Sequence, residues 1–163
     1  MERTTGAPDT ARFFIVRPAG AKDAAQLARL RAASLTEQGY LALSEHTAFV
    51  ERATADTERL FRDERLVAWL ACAGDAVIGS ACAVYFDRLP YPDGTLHAEL
   101  SGVYVEPVFR GAGCASRLVT AVVATVRTSG VRRTFLRPSP GARSLYARLG
   151  FVDDATGVMS LSA

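Results

Sequence analysis

The chain has 163 residues, of which 49% are hydrophobic and 22% are charged. A chain of this size and hydrophobicity can bury the core of one domain by itself, which excludes a disordered chain, a disulfide-stabilised miniprotein and a fibrous repeat. No apolar run reaches the roughly 18 residues of a membrane span, and the polar N-terminus lacks the apolar segment of a secretory signal. We therefore expect no membrane association and no export.

Residues 1–12 are predicted to form a flexible tail, and the domain is predicted to span residues 13–163. Apolar periodicity and turn residues predict the secondary structure of the first half of the domain. Ser44 is a candidate N-cap for the second helix. The predicted elements are a strand at 13–17, a helix from Asp23 to about Leu35, a helix at about 45–63, and hairpin strands at 66–72 and 77–85.

The second half alternates strands and helices after a proline- and glycine-rich loop at residues 87–95. An antiparallel first half joined to a β-α-β second half predicts a single α/β (α+β) domain, with a mixed central sheet of about six or seven strands flanked by about four helices. The predicted elements are a strand at 98–105, a helix at 113–128, a strand at 131–137, a helix at 142–149, and strands at 151–152 and 159–161.

The three cysteines, Cys72, Cys82 and Cys114, lack the spacing of a metal site, and we expect no metal. In the predicted hairpin, Cys72 pairs near Val77 and Cys82 pairs near Val67, so the two sulfurs lie too far apart for a disulfide. Free thiols are expected, which is typical of a protein of the reducing cytoplasm.

Charge is distributed unevenly although the net charge is only +2. Residues 1–106 carry 11 basic and 15 acidic side chains, whereas residues 107–152 carry eight arginines and no carboxylate. An isolated basic segment of this kind indicates a partner with phosphates, which is either a nucleic acid or a phosphorylated cofactor.

A strand that ends at Pro107 leads into a loop with Arg110, Gly111 and Gly113, which opens a helix. Small residues let the backbone approach an anion closely, and the first N–H groups of a helix point outward at the positive end of its dipole. The pattern predicts a main-chain cradle for a pyrophosphate, although a lone Gly-x-Gly is also typical of a tight strand-to-helix turn. The loop lacks the Gly-Lys-Ser/Thr of a Walker motif and the GxGxxG of a dinucleotide site.

A second window, residues 142–151, reads Ala-Arg-Ser-Leu-Tyr-Ala-Arg-Leu-Gly-Phe. Together the two windows resemble the GNAT superfamily of N-acetyltransferases, over about residues 13–161. The cofactor loop of that family is written Q/R-x-x-G-x-G/A, which residues 110–115 fit. Its second signature, A-x-x-L-Y-x-x-x-G-F, is met by Ala142, Leu145, Tyr146, Gly150 and Phe151.

The resemblance implies acetyl-CoA as cosubstrate and direct transfer of its acetyl group to a primary amine of a small molecule or peptide in a ternary complex. Coenzyme A carries about −3 to −4 charges, so the arginines are explained without a nucleic acid. Arg110 and Arg117 are the nearest candidates for phosphate contact. The implied cofactor residues are Val103, Tyr104 and Val105 for the pantetheine arm, and Arg110, Gly111, Ala112, Gly113, Cys114, Ala115 and Ser116 for the pyrophosphate.

The resemblance also makes Tyr146 the candidate general acid. The leaving group is a thiolate, and a phenol with a pKa of about 10 can donate a proton to it. The alternative is a tyrosine that only packs against the cofactor.

Glu99 is the candidate base that deprotonates the amine, and His97 is the second candidate. The two-residue period of a strand places Glu99 on one face with Ser101, Val103 and Val105. The alternative for Glu99 is an ordinary exposed carboxylate on a strand.

The acceptor pocket is expected between the loops at residues 36–46 and 87–97. Aromatic and acidic side chains suit a cationic amine, and the candidates are Tyr40, Tyr85, Asp87 and His97. Packing of these aromatic rings in the core is an equal alternative.

Three other hypotheses of function remain: a transferase for longer acyl chains or protein N-termini, a non-catalytic acyl-CoA-binding module, and a nucleic-acid binder. The dispersed arginines argue against the last. The sequence leaves open which amine is the acceptor and whether the protein works as a homodimer.

Overall fold

Seven strands and four α-helices occur in the part of the chain that the structure, a computed structural model, describes: residues 13–153 and 159–162. The strands are β1 (Ile15–Pro18), β2 (Leu66–Ala73), β3 (Ala76–Asp87), β4 (Leu96–Val105), β5 (Arg133–Leu136), β6 (Val152–Asp153) and β7 (Met159–Ser162). The helices are α1 (Ala24–Glu37), α2 (His46–Arg62), α3 (Cys114–Thr128) and α4 (Arg143–Arg148). The predicted single α/β domain, with about six or seven strands and four helices, is confirmed. The predicted tail at residues 1–12 lies outside the described residues.

The strands form one mixed sheet in the order β1-β2-β3-β4-β5-β7-β6. All neighbouring strands are antiparallel except β4 and β5, which are parallel. The parallel pair is short, because only Ala98 with Thr134 and Glu99 with Phe135 are in register. Beyond Glu99 the strands diverge, and β4 continues to Val105 along the side of an open cleft.

The helices α1 and α3 cover opposite faces of the sheet. Leu27 and Leu30 of α1 pack in a cluster with Ala68, Leu70 and Cys72 of β2. The buried side chains of α3 recur every three or four residues and form one apolar face, as expected for an amphipathic helix. This face packs against the alanines of β3. The buried residues of α3 are Cys114, Leu118, Val119, Val122, Val123 and Val126.

Two of the predicted helix starts have different outcomes. Asp23 precedes α1 as predicted, and its carboxylate accepts hydrogen bonds from the Gly20 amide at 3.0 Å and from Arg17 at 2.8 and 3.1 Å. The Arg17 hydrogen bond lowers the pKa of Asp23. The predicted cap Ser44 is wrong, because Ser44 lies in a 3₁₀ turn and Glu45 is the capping position, without a side-chain cap.

No helix in residues 13–153 or 159–162 has both the length and the hydrophobicity required to cross a membrane.

All three cysteines are free thiols, as predicted, and two of them, Cys72 and Cys82, lie in the β2–β3 hairpin. Cys72 pairs with Val77, also as predicted, whereas Cys82 pairs with Ala68 instead of Val67. The shift by one residue arises at an irregularity beside Cys72, which adds one residue to β3.

A second bulge interrupts β4 and changes which side chains face the cleft. Cys82 pairs with Ser101 and Ser80 pairs with Tyr104, so β4 has one residue more than β3 over this stretch. The extra residue is accommodated at Gly102, whose φ is +60°.

Because paired side chains share a face, Tyr104 lies on the face of Glu99 and Ser101. Val105 lies on the opposite face, in the core under α3. The predicted common face of Glu99 and Val105 is therefore wrong.

We expect Gly79→Ala to destabilise the fold, because a β-carbon on Gly79 would lie 2.9 Å from the main-chain oxygen of Tyr104. Overpacking of this kind costs about 1–3 kcal/mol, and the urea midpoint should fall with an unchanged m-value. Gly20→Ala is the matched control, since a β-carbon on Gly20 meets open space. Equal midpoints for the two variants would contradict the close contact between β3 and β4.

Candidate active site

The cleft between β4 and β5 is part of a cavity of about 1080 Å³. Its walls are the C-terminal half of α1 with the loop that follows, β4 from Glu99 to Val105, the loop that opens α3, the end of β5, and α4. Glu99, Tyr146 and the predicted cradle therefore border one continuous space, although they come from three separate stretches of the chain.

The loop before α3, which the sequence predicts to be a pyrophosphate cradle, exposes main-chain amides at the start of a helix. Gly111 and Gly113 have φ values of +82° and +79°, and a β-carbon on either would enter open space. The Arg117 amide donates to the Gly113 carbonyl, so the amides of the three preceding helical residues have no acceptor within the helix. No side chain caps this helix end.

Six of the seven predicted cradle residues line the cavity, namely Arg110, Gly111, Gly113, Cys114, Ala115 and Ser116. Ala112 is exposed and lies outside it. Burial raises the pKa of Cys114 to about 11, so this cysteine is a neutral thiol and a poor nucleophile.

Arg110 lines the cavity but is already engaged by protein groups. Its terminal nitrogens donate to the two carboxylate oxygens of Glu37 at 2.9 and 2.7 Å, and its Nε donates to the Val105 carbonyl at 2.8 Å. The guanidinium also lies 5.4 Å from the centre of the Tyr104 ring. Hydrogen bonding from Arg110 lowers the pKa of Glu37. The pair connects the end of α1 to the cradle.

The second predicted phosphate contact, Arg117, lies outside the cavity. Its guanidinium lies 4.7 Å from the centre of the Phe14 ring and donates to the Phe14 carbonyl at 3.3 Å. Three other arginines line the cavity instead: Arg31 of α1, Arg137 after β5, and Arg148 of α4.

Val103, Tyr104 and Val105, the predicted contacts of the pantetheine arm, line the cavity. This stretch of β4 pairs with β3 on one side and lies beyond the last residue pair with β5 on the other. Its outer main-chain groups therefore face the cleft.

Tyr146 of α4 is 7% exposed and lines the cavity together with the end of β5 and the first turn of α3. Its ring meets the Phe151 ring edge-on, with 5.7 Å between centroids. Burial raises the pKa of Tyr146 to about 12, so the phenol stays protonated and is available as a donor.

Glu99 borders the same cavity from the exposed middle of β4, on the α1 face of the sheet. Among the described residues, no group of three histidine, cysteine or acidic side chains has an arrangement that could hold a metal ion.

His97 shares the strand face of Glu99 but does not reach the cavity. It is fully buried, with its ring centre 5.9 Å from that of Phe86 and 5.6 Å from that of Phe135. Its Nδ1 lies 2.9 Å from the Thr95 carbonyl, and its Nε2 lies 3.5 Å from an Asp93 carboxylate oxygen. His97 therefore contacts Thr95 and Asp93 of the loop before β4. Its predicted position in the acceptor pocket is wrong, because it does not line the cavity.

Of the other predicted acceptor residues, Tyr40 lines the cavity, whereas Tyr85 and Asp87 do not. Tyr85 pairs with Ala98 on the α3 face of the sheet, and its hydroxyl lies 2.9 Å from the Ser129 Oγ. Asp87 is the last residue of β3 and pairs with Leu96, the first residue of β4. The loop at residues 87–97 therefore lies at the wrong end of β4 to line the pocket.

The family model for the acetyltransferase (GNAT) family matches residues 31–151 of the chain. The chain belongs to the GNAT family. Its members are N-acetyltransferases, and the predicted enzyme class, an acyltransferase, is confirmed. No curated protein sequence matches the chain.

Solved structures show the same GNAT fold at low sequence identity. A predicted acetyltransferase from Clostridium acetobutylicum, solved with acetyl-CoA, is 22% identical, with a TM-score of 0.78 over 88% of this chain and 92% of that one. A GCN5-related N-acetyltransferase from Ralstonia eutropha is 21% identical, with a TM-score of 0.77 over 88% and 95% of the two chains. PaiA N-acetyltransferase from Thermoplasma acidophilum, solved with coenzyme A, is 16% identical, with a TM-score of 0.64 over 93% and 99%.

Within this GNAT domain, sequence reasoning missed Arg31, Arg137 and Arg148 as cavity residues, and it missed the pairing of Glu37 with Arg110. A signal existed for Arg31, which follows the buried Leu27 by four residues and therefore lies beside the sheet-facing stripe of α1. Arg137 follows the carboxyl end of a parallel strand, where ligands commonly bind. For Glu37 no local signal exists, because its partner Arg110 is 73 positions away.

Proposed function

We propose that this GNAT protein transfers the acetyl group of acetyl-CoA to a primary amine by direct attack in a ternary complex. The observation that carries the proposal is the shared cavity, which brings together a helix end with available amides, a buried neutral phenol and an exposed carboxylate. Each of these groups meets one need of the reaction: anion binding, proton donation to the leaving sulfur, and proton removal from the amine.

The residues of the cradle fit a pyrophosphate. The amides of Cys114, Ala115 and Ser116 lack helical acceptors, and Gly113 leaves open space in front of them. Arg137 and Arg148 add positive charge along the same cavity. The outer edge of β4 offers main-chain groups for the amides of the pantetheine arm.

The basic segment also favours a small phosphorylated ligand over a nucleic acid. Arg110 pairs with Glu37, Arg133 pairs with Asp93, and Arg143 pairs with Asp153. These arginines are therefore largely neutralised within the protein, and the cavity holds Arg137 and Arg148 of this segment as further positive charges.

Bound acetyl-CoA supplies the acetyl group as a thioester, whose carbonyl carbon an amine can attack. Glu99, directly or through a water molecule, accepts the proton that the ammonium must lose, since only about a thousandth of a typical amine is neutral at pH 7. Tyr146 donates its phenolic proton to the sulfur as the carbon–sulfur bond breaks, while the attacking nitrogen gives up its second proton to solvent. Tyr146 then regains a proton from solvent, and Glu99 releases to solvent the proton that it accepted. The products are an amide and a free thiol.

The cradle predicts that Gly113→Glu abolishes acetyl-CoA binding, because a carboxylate would occupy the space in front of the helix amides. Acetyl-CoA should raise the melting temperature of the wild type by mass action and leave that of the variant unchanged. Gly130→Glu is the control, since Gly130 has a φ of +83° and open space but lies at the other end of α3. Equal acetyl-CoA shifts in all three proteins would exclude the cradle as the binding site.

Tyr146→Phe should lower kcat by about 10²–10⁴-fold while the Kd for acetyl-CoA stays nearly unchanged, because the phenol acts on the leaving sulfur. Because burial raises the pKa of Tyr146 to about 12, the acid stays protonated as pH rises, and wild-type kcat should show no loss from its ionisation below about pH 11. Steady-state thiol release from pH 6 to 10.5 checks both points. An unchanged kcat in the variant would reduce Tyr146 to a packing residue.

Glu99→Gln should reduce kcat/KM most at low pH, where the amine is least often neutral and most needs a base. The measurement is the pH profile of kcat/KM for the wild type and the variant. The matched control is Glu58→Gln, which removes a carboxylate from the exposed surface of α2 and should preserve the profile. If Glu99→Gln preserved it as well, the enzyme would act by holding its two substrates together, without a carboxylate base.

A further inference from the structure

Arg31 is a positive charge in the cavity that binding of acetyl-CoA at the cradle does not explain. It lies on α1 with Ser34, Leu35 and Gln38, which follow it at helical spacing and also line the cavity. The Ser34 Oγ accepts a hydrogen bond from Nε2 of the Gln38 side chain at 2.9 Å. This stripe forms a polar wall of the cavity on the α1 face of the sheet.

The same face carries Glu99. In the sheet, Cys82 pairs with Ser101, and both lie on the face of Glu99, two residues before the bulge. Burial raises the pKa of Cys82 to about 12, and the nearby charge of Arg31 opposes this rise. Arg31 therefore lies near Cys82, and it lines the cavity together with Glu99 and Ser101 of β4, the strand that carries the candidate base.

The other charges of the cavity are accounted for. Arg110 and Glu37 neutralise each other. Arg137 follows β5, and Arg148 ends α4. The apolar residues of both elements belong to the core under α3, on the face of the cradle. The α1 side of the cavity is left with one cation, Arg31, and one anion, Glu99, and neither forms an ion pair with another described residue.

An ammonium group at Glu99 would satisfy that carboxylate and leave Arg31, an exposed side chain on the cavity wall, as an unpaired positive charge beside the ligand. A polyamine or another polycation would place a second positive charge against the guanidinium, which is unfavourable. A carboxylate on the acceptor would instead form a charge-assisted, bidentate pair with Arg31.

Resting on the proposed acetyl transfer, we propose that the acceptor is a small amine that also carries a carboxylate, as a free amino acid does. Arg31 binds its carboxylate, and Glu99 faces its amine. Arg31 is then the residue that selects the class of acceptor.

The test compares each standard L-amino acid with its carboxamide and its decarboxylated amine, at saturating acetyl-CoA and with thiol release as the readout. For the best amino acid, we expect kcat/KM to exceed that of the two matched compounds by about 10- to 100-fold, mainly through KM. Arg31→Gln should lose this factor for the amino acid and lose little for the carboxamide, as expected for a coupled pair. Arg52→Gln, which removes an exposed arginine of α2 outside the cavity, should retain the discrimination.

Calorimetric titration of the same amino acid into protein saturated with coenzyme A provides a readout independent of turnover. We expect Arg31→Gln to weaken this binding by a similar factor at an unchanged melting temperature. The proposal is overturned if Arg31→Gln leaves the preference for the carboxylate intact, or if spermidine exceeds every amino acid in kcat/KM. In either case the acetyl transfer stands, whereas failure of acetyl-CoA to stabilise the wild type would overturn the transfer and the acceptor class together.

Discussion

The divergence of β4 and β5 after two residue pairs is the constraint on which the site depends. Parallel strands that stayed paired would satisfy each other's main-chain groups, and the space between them would close. Because they separate beyond Glu99, one edge of β4 becomes available to a ligand, and the first turn of α3 and Tyr146 of α4 reach the same cleft. A cofactor can thus replace hydrogen bonds that a neighbouring strand would otherwise make.

Two features hold the opened strand in position. On the inner side, Gly79 lets β3 approach so closely that a β-carbon there would lie 2.9 Å from the Tyr104 oxygen. At the outer end, Arg110 connects the Val105 carbonyl to Glu37 of α1. The cradle and the α1 wall are consequently joined through one guanidinium, so the predicted phosphate ligand has a positioning role in this structure.

The distribution of charge divides the cavity into two parts. The cradle side combines helix amides with Arg137 and Arg148, which suits phosphates. The α1 side combines Arg31 with Glu99, which suits a ligand that carries both charges. The buried phenol of Tyr146 lies on the core side of the cleft, where low polarity keeps it protonated.

Local patterns in the sequence determined the strand and helix order, the glycine cradle and the candidates Tyr146 and Glu99, because periodicity, turn residues and short motifs act over a few neighbouring residues. Only the tertiary structure decided which charged residues share the cavity. His97 and Tyr85 fit the acceptor pocket by residue type, but neither lines the cavity. His97 packs against Phe135, and Tyr85 lies on the α3 side of the sheet. The bulge at Gly102 and the pairing of Arg110 with Glu37 join positions far apart in the chain, so no local pattern records them.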